Sequence, residues 1–374
     1  MGARRTVLHV TAVPFTARKL LLPQLQHLQR AGYCVRLACA GEKGGWGSDL
    51  EPFEPVQLAF PRELAVGPLI RAVTSLPAVL RDVQPDLLHL HSPAAALPAR
   101  LVLRRLLPPQ LKIAYTVHGF AHAWDHPDAR DRALALVERL LAPRADLMLF
   151  QSAEDYEQAR ARRFRTTLRL LGNGVEDSWF DLPDPVWRPA PTVLFVGRLV
   201  REKGIVDLLL ALRSVPDIRL LVAGAALDSD RDGVEDEVRR LAADPALSGR
   251  VELLGMQSRD ELRTTLQRAQ ALVLPSYREG VPRSVIEALA AGRPAVVTDI
   301  RGCRELVQDG VNGFVVPVAA PSAFAAALAK LATRDAISFR RLSQAARASV
   351  DPGRRESRVF TRLIDAYAEL GLSA

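Results

Sequence analysis

The sequence predicts an α/β protein built as two doubly wound domains, each a parallel sheet wrapped by helices. Three observations predict it: a length of 374 residues, short Val-, Leu- and Ile-rich runs alternating with segments of helical period, and a break in that alternation after which it starts again. The length exceeds what one core ordinarily holds and suits two domains of about 150–200 residues. Hydrophobic residues at 48% and charged residues at 25% are the balance of a globular enzyme.

In the first half, strands are expected near 6–10, 35–40, 87–90, 113–117, 147–150 and 168–171. Helices lie between them, one running from Lys19 to Ala31 and stopped by Gly32. After Gly172-Asn173-Gly174 the run DSWFDLPDPVWRPAP has no period and reads as an interdomain linker. Strands resume near 192–197, 218–224, 251–255, 271–275, 294–299 and 313–317. The expected division is an N-terminal domain 1–175, a linker 176–190, a C-terminal domain 191–355, and a closing helix within 356–374 that packs back across the domain junction. In open parallel sheets ligands bind beyond the carboxyl ends of the strands, so the site is expected in the cleft between the domains.

Composition narrows the function. No apolar run approaches the ~20 residues that span a bilayer, and the amino terminus runs straight into a strand, so a cytoplasmic location is expected. Cys34, Cys39 and Cys303 are too few, and odd in number, for a disulfide framework or a zinc site; they read as packing residues. The formal net charge of +8 falls entirely within residues 1–175, which hold 23 basic and 15 acidic side chains. Its densest parts are Arg100, Arg104 and Arg105, interleaved with Leu101, Val102, Leu103, Leu106 and Leu107, and the run Arg160, Arg162, Arg163, Arg165, Arg169. Such a surface suits anionic lipid, so peripheral contact with the inner face of the plasma membrane is expected; the alternative is a solvated arginine-rich face. Aromatic residues at 6% and the lack of a binding motif speak against nucleic acid.

The residues that carry chemistry lie in the second half. The expected strand 192–197 ends in Gly197-Arg198-Leu199-Val200-Arg201-Glu202-Lys203-Gly204. Two cations five apart at a strand's carboxyl end can meet a diphosphate from two sides, or can be exposed loop cations. After the strand 271–275 comes Ser276-Tyr277-Arg278-Glu279-Gly280-Val281-Pro282-Arg283-Ser284-Val285-Ile286-Glu287. Pro282 suits the first turn of a helix, which leaves the N–H groups of Arg283, Ser284 and Val285 free to bind phosphate, with Gly280 and Val281 leading in. Glu279 in the loop and Glu287 in the helix are unlike the paired carboxylates of a hydrolase. Each can instead accept hydroxyls, Glu287 those of a ribose and Glu279 those of a sugar.

The segments Gly197 to Gly204 and Glu279 to Gly292, with Glu-x7-Glu spacing, resemble the signature of family 4 glycosyltransferases, a retaining group with the GT-B fold. Gly172-Asn173-Gly174 and Gly310-Val311-Asn312-Gly313-Phe314 extend the resemblance over nearly the whole chain. It implies a nucleotide sugar, usually UDP- or GDP-linked, on the C-terminal domain and the acceptor on the N-terminal one. It also implies front-face attack with retention, and a leaving diphosphate stabilised by Arg198, Lys203 and the helix amides, with no metal or other cofactor. His118, in Tyr115-Thr116-Val117-His118-Gly119-Phe120, matches the position of a histidine that approaches the donor sugar. His89 and His91 alternate with leucines along a strand, so at most one is expected to face the cleft, and His91 is taken as that one.

Many relatives have a glycine pair after the first strand where this chain has Val10-Thr11-Ala12-Val13-Pro14-Phe15-Thr16. That loop places Phe15 on the acceptor side and more closely resembles the branch acting on lipid-linked oligosaccharides of capsule, O-antigen and protein glycans. The D-x-D spacings in Asp228-Ser229-Asp230-Arg231-Asp232 precede a helical segment, where acidic residues suit the helix start without any metal. The expected activity is sugar transfer to a polyprenyl-diphosphate-linked saccharide. A sugar-nucleotide epimerase of the same fold would lack Glu-x7-Glu, and a nicotinamide oxidoreductase would carry G-x-G-x-x-G. A degenerate binding subunit would be expected to have lost one of Arg198, Lys203, Glu279 or Glu287.

Overall fold

The computed structural model describes residues 4–41, 46–58, 66–102, 106–122, 124, 127–227, 230 and 232–374, with the backbone alone for 66–69. The chain divides into two compact units, Met1–Gly172 with Arg358–Ala374, and Asn173–Ser357.

In the first unit β1 (Thr6–Val10), β2 (Cys34–Cys39), β3 (Val56–Gln57), β4 (Leu87–His91), β5 (Lys112–Val117), β6 (Leu147–Phe150) and β7 (Thr167–Leu170) form one parallel sheet. Their order is β3-β2-β1-β4-β5-β6-β7. The helices are α1 (Pro14–Thr16), α2 (Leu22–Arg30), α3 (Val66–Val83), α4 (Pro93–Leu101), α5 (Ala129–Leu141) and α6 (Ala153–Ala161). Strand alternation sorts the side chains onto two faces. Leu8, Val10, Leu88, Leu90, Tyr115 and Val117 pack against residues of α3, α4 and α6, whereas Val7, Leu87 and Leu149 pack against α2.

The expected strands of both halves are present with ends shifted by no more than one residue, and the two-residue β3 is an addition, paired to β2 through Ala38 and Val56. The helix after β1 begins earlier than Lys19, because Pro14 takes its first turn. Ala17–Leu21 is a π-helical turn, in which Leu22 N–H donates to Ala17 O. Pro23 has no N–H to give the carbonyl of Lys19, and the widened turn accommodates that. Phe15 therefore sits half-buried in a helical first turn, not in a loop.

The second unit repeats the plan with β8 (Thr192–Val196), β9 (Arg219–Ala223), β10 (Val251–Gly255), β11 (Ala271–Leu274), β12 (Ala295–Thr298) and β13 (Gly313–Val316), in the order β10-β9-β8-β11-β12-β13. Its helices are α7 (Ile205–Leu212), α8 (Glu235–Ala242), α9 (Arg259–Arg268), α10 (Arg283–Ala290), α11 (Pro321–Ala332) and α12 (Ala336–Ser349). The stretch 176–190, read as a linker, is folded onto this unit. Asp177–Asp181 is a 3-10 turn, Trp179 is buried in the same core as Val285 and Leu289, and Trp187 Nε1 donates to Arg334 O at 2.9 Å.

Helix α13 (Glu356–Ala368) closes the chain, and from Arg358 onward it belongs to the first unit. Val359, Leu363, Ala366, Tyr367 and Leu372 fill the core beside α2, and Tyr33 Oη donates to Leu372 O at 2.7 Å. Cys39 and Cys303 are buried, Cys34 is exposed, and none of the three is in a disulfide.

The Tyr367 hydroxyl hydrogen-bonds Nδ1 of the buried His89. Tyr367→Phe is expected to lower stability by about 1–3 kcal/mol in urea unfolding, the cost of an unpaired buried polar group. Unchanged unfolding would show that the hydroxyl contributes nothing to fixing α13.

Candidate active site

In the second unit the loops after β8 and β11 meet at the carboxyl edge of the sheet. After Gly197 and Arg198 the chain turns through Arg201–Lys203 and ends at Gly204 with φ 68°. A Cβ at Gly204 would lie 2.0 Å from Pro275 O, so only glycine lets this turn rest on the loop after β11. Tyr277 N–H completes the joint by donating to Glu202 O at 2.9 Å. Lys203 Nζ consequently stands 2.6 Å from Glu279 Oε1, which also accepts from Ser276 Oγ at 2.8 Å, and both charged side chains are largely buried.

Arg198 is turned to a different carboxylate, pairing with the nearly buried Asp230, whose other oxygen accepts from Leu227 N–H at 3.0 Å. The two open cations expected from the sequence are thus each neutralised. Of the D-x-D stretch, Asp228, Ser229 and Arg231 lie outside the described residues.

Helix α10 begins immediately after Pro282. Its approach is fixed from two sides. Asn173 Nδ2 donates to Val281 O at 2.7 Å, and a Cβ on Gly302, whose φ is +78°, would lie 1.5 Å from Gly280 O. The expected set of three free amides is corrected to two, because Val285 N–H donates to Pro282 O at 3.2 Å in a tightened first turn. The amides of Arg283 and Ser284 point out of the helix end, while the Val285 side chain is buried in the core and the Arg283 guanidinium pairs with Glu356.

Glu287 is half-buried in the second turn. Burial raises its pKa above the ordinary value, opposed by Arg283 and Arg259 and reinforced by Glu356 and Glu176. Arg259 and Arg263 both pair with Glu176, the latter at 2.8 Å. Among the described residues no group donates a hydrogen bond to the Glu287 carboxylate, which leaves its oxygens for a ligand's hydroxyls. Sequence reasoning gave no role to Ser276, Asn173 or Gly302. Asn173 was visible in the quoted Gly-Asn-Gly, but only the fold shows which carbonyl it reaches.

In the first unit His9 lies opposite His89 in the β1–β4 register, and His91 is two residues further along. Residues i and i+2 of a strand share a face. The ground for expecting at most one of His89 and His91 to face the cleft is therefore corrected: the two share a face, with ring centroids 4.2 Å apart. Both are fully buried, so His91 offers no direct surface to an acceptor.

Gln151 Oε1 meets His118 Nδ1 at 3.0 Å, His118 Nε2 meets His91 Nδ1 at 3.1 Å, and His91 Nε2 meets His9 Nδ1 at 2.9 Å. Burial pushes His9 down to about 3 and His118 to about 4. His89 and His91 lie well below the usual histidine value, chiefly by burial and further by their charged-state repulsion. At neutral pH the run is therefore a chain of neutral imidazoles in which donors and acceptors alternate. His9, His89 and His91 also place ligand atoms within 4.8 Å of one another, the one such group among the described residues. Each ring is already hydrogen-bonded and no carboxylate shares the group.

Two doubly wound units, with a paired Lys and Glu beside a helix end at the carboxyl edge of the second sheet, define an enzyme of the GT-B class. The family model for Glycosyltransferase Family 4 matches residues 22–179 and that for Glycosyl transferases group 1 matches residues 185–349. The chain belongs to these glycosyltransferases.

It is 26% identical over 354 residues to EpsD of Bacillus subtilis (strain 168), covering 87% of each chain. It is 30% identical over 214 residues to the lipopolysaccharide core biosynthesis glycosyltransferase LpsE of Rhizobium meliloti (strain 1021), covering 56% of this chain and 58% of that one. The sucrose-phosphate synthase of Thermosynechococcus elongatus superposes with TM-score 0.80 at 21% identity, over 99% of this chain and 100% of that one. Anabaena Alr3699/HepE in complex with UDP superposes with TM-score 0.75 at 18% identity, over 98% and 100%.

Two outcomes follow from this geometry. Gly302→Ala is expected to displace the Gly280–Val281 peptide and weaken nucleotide binding by about tenfold or more, since left-handed φ alone costs a residue with a Cβ about 1–2 kcal/mol; isothermal titration with nucleoside diphosphates reads it.

Because its folded pKa is raised, ionised Glu287 penalises folding above the carboxyl's ordinary range, and the penalty disappears as the pH falls below it. Glu287→Gln should therefore melt higher than wild type at neutral pH, keep no such advantage in acid, and bind nucleotide about tenfold more weakly through loss of a charged acceptor. A melting temperature unchanged at neutral pH would refute the burial argument.

Proposed function

We propose that this glycosyltransferase takes its sugar from a UDP-linked donor bound on the second unit. It transfers that sugar, with retained configuration, to a saccharide carried on a polyprenyl diphosphate at the inner membrane face. The observation that carries the donor half of this reading is the Lys203–Glu279–Ser276 cluster beside the amide end of α10. A diphosphate reaching that edge competes with Glu279 for Lys203 and meets the amides of Arg283 and Ser284, so the charge that grows on it is stabilised by groups already in place.

Glu279, released from the lysine, accepts hydroxyls of the sugar, and Glu287 accepts those of the ribose. Arg198 exchanges Asp230 for phosphate. The bond from the anomeric carbon to the diphosphate oxygen breaks, and the bond to the acceptor oxygen forms on the same face. The acceptor's proton passes to the leaving diphosphate, so no metal and no other cofactor is needed. His118, neutral and held by Gln151 and His91, supplies a fixed dipole to the sugar.

The acceptor is assigned to the first unit, with Phe15 on its approach. A relative named for lipopolysaccharide core biosynthesis and a structural neighbour in complex with UDP support acceptor class and donor. Among the described residues no helix is long and apolar enough to cross a membrane, so contact with it would be peripheral, through the basic first unit.

A thermal-shift and hydrolysis screen against UDP-, GDP-, ADP- and dTDP-sugars tests the donor. The preferred one should stabilise by about 2.7 kcal/mol at 100 times its Kd, and hydrolysis should survive chelation of divalent metals. Lys203→Ala and Glu279→Gln should each lower turnover more than about tenfold while the protein stays folded; near-normal rates in both would sink the assignment.

A further inference from the structure

Helix α5 buries a glutamate and leaves part of its apolar set exposed. A surface helix normally buries its leucines and exposes its charges. Here Glu138 is the buried residue, while Leu136 and Leu140 are 51% and 63% exposed and Val137 lies open beside them. The inversion has a cause within the fold. Arg100 of α4 is buried, its guanidinium 4.6 Å over the Tyr115 ring and its Nη2 2.7 Å from Glu138 Oε2. Burying that arginine requires a carboxylate from α5, and a helix that turns Glu138 inward turns residues 136, 137 and 140 outward.

Leu101, at the end of α4, and Leu106, in the segment beyond it, are exposed as well. The two helix ends are adjacent, since Arg144 Nη1 donates to Arg100 O at 3.4 Å. Around these leucines stand the exposed cations Arg130, Arg132, Arg139 and Arg144. The acidic residues nearby serve the fold. Asp128 and Asp131 form the capping box of α5, Glu138 holds Arg100, and Asp146 accepts from Ile113 N–H at 2.8 Å. Asp128 and Asp131 keep their charge, but Glu138 is neutralised by Arg100 and Asp146 by Lys112 at 3.7 Å, so the four exposed arginines outnumber the acids left beside them and the face is net positive. Arg104 and Arg105 lie outside the described residues.

We propose that this α4–α5 face docks the protein on an anionic lipid surface, with Leu136, Val137, Leu140 and Leu106 entering the headgroup boundary and the arginines meeting lipid phosphates. It rests on the reading that the acceptor is membrane-borne and deepens it by naming the face. The expectation from sequence placed Arg100 on the membrane side. Its role is instead inward, as the residue that forces the leucines out.

The test is co-sedimentation of the full chain with vesicles of phosphatidylcholine alone and of phosphatidylcholine mixed with phosphatidylglycerol, with donor hydrolysis measured on the same preparations. Wild type should pellet with the mixed vesicles and much less with the neutral ones, and less again in high salt. Leu136→Ser with Leu140→Ser should abolish pelleting. Arg132→Ala with Arg139→Ala should weaken it about fivefold for each arginine removed.

Both variants should keep wild-type melting and donor hydrolysis, because every changed side chain is exposed. Failure of wild type to pellet, or pelleting indifferent to both variants, overturns the proposal. So does loss of a dimer in light scattering on the leucine changes without any vesicle binding, which would make the face a protein interface. Donor hydrolysis without vesicle binding leaves the transferase reading standing, and vesicle binding without hydrolysis leaves the docking face standing.

Discussion

The ion pair between Lys203 and Glu279 depends on two loops lying backbone against backbone, and the proposed donor site depends on that pair. The residues are 76 apart in sequence. What brings them together is the absence of a side chain at two positions, Gly204 against Pro275 O and Gly302 against Gly280 O. With these contacts made, the loop after β8, the loop after β11 and the start of α10 share one edge of the sheet. Asn173, at the very start of the unit, then fixes the carbonyl of Val281 just ahead of the helix.

A pair that is largely buried has a definite electrostatic character when empty. Taking both ions out of water costs several kcal/mol each, offset only when they meet in good geometry with further hydrogen bonds, and Ser276 supplies one of these. In the proposed reading, an incoming diphosphate of higher charge competes for Lys203 while the amides of α10 add to the attraction. Arg198 and Asp230 repeat the device at the other expected cation. The site holds its cations ready without leaving either of them unpaired, which is why the sequence pattern alone reads as a clamp and the structure reads as two closed salt bridges.

Strands were legible because a buried parallel sheet needs continuous apolar runs bounded by turn residues, and those runs announce themselves. Pro282 was legible as a helix start for an equally local reason. What failed was information that only packing carries. The face shared by His89 and His91 follows from the two-residue period of a strand and was open to the sequence; what needed the fold is the register that sets His9 opposite His89. The amide of Val285 was lost to a tightened first turn, and the stretch 176–190 is held by two tryptophans, Trp179 in the core with α10 and Trp187 on Arg334 O, whose partners lie more than a hundred residues away. Helix α13 could be recognised as a helix, but its place in the first unit is set by Tyr367 and Leu363 meeting α2, which no local pattern encodes.

Net charge is the clearest case in which a count and a surface diverge. The excess of +8 belongs wholly to the first half of the sequence, and ion pairs such as Arg5 with Asp86, Arg18 with Asp49 and Arg100 with Glu138 join charges that already cancel in that count, so they decide where the excess lies and not how large it is. What distinguishes one face from the rest is therefore not how many arginines lie near it in sequence but which carboxylates are withdrawn from it. On α5 the Arg100 pair withdraws Glu138, and the same pair rotates the leucines outward. A single buried arginine thus sets both the charge and the apolarity of that face.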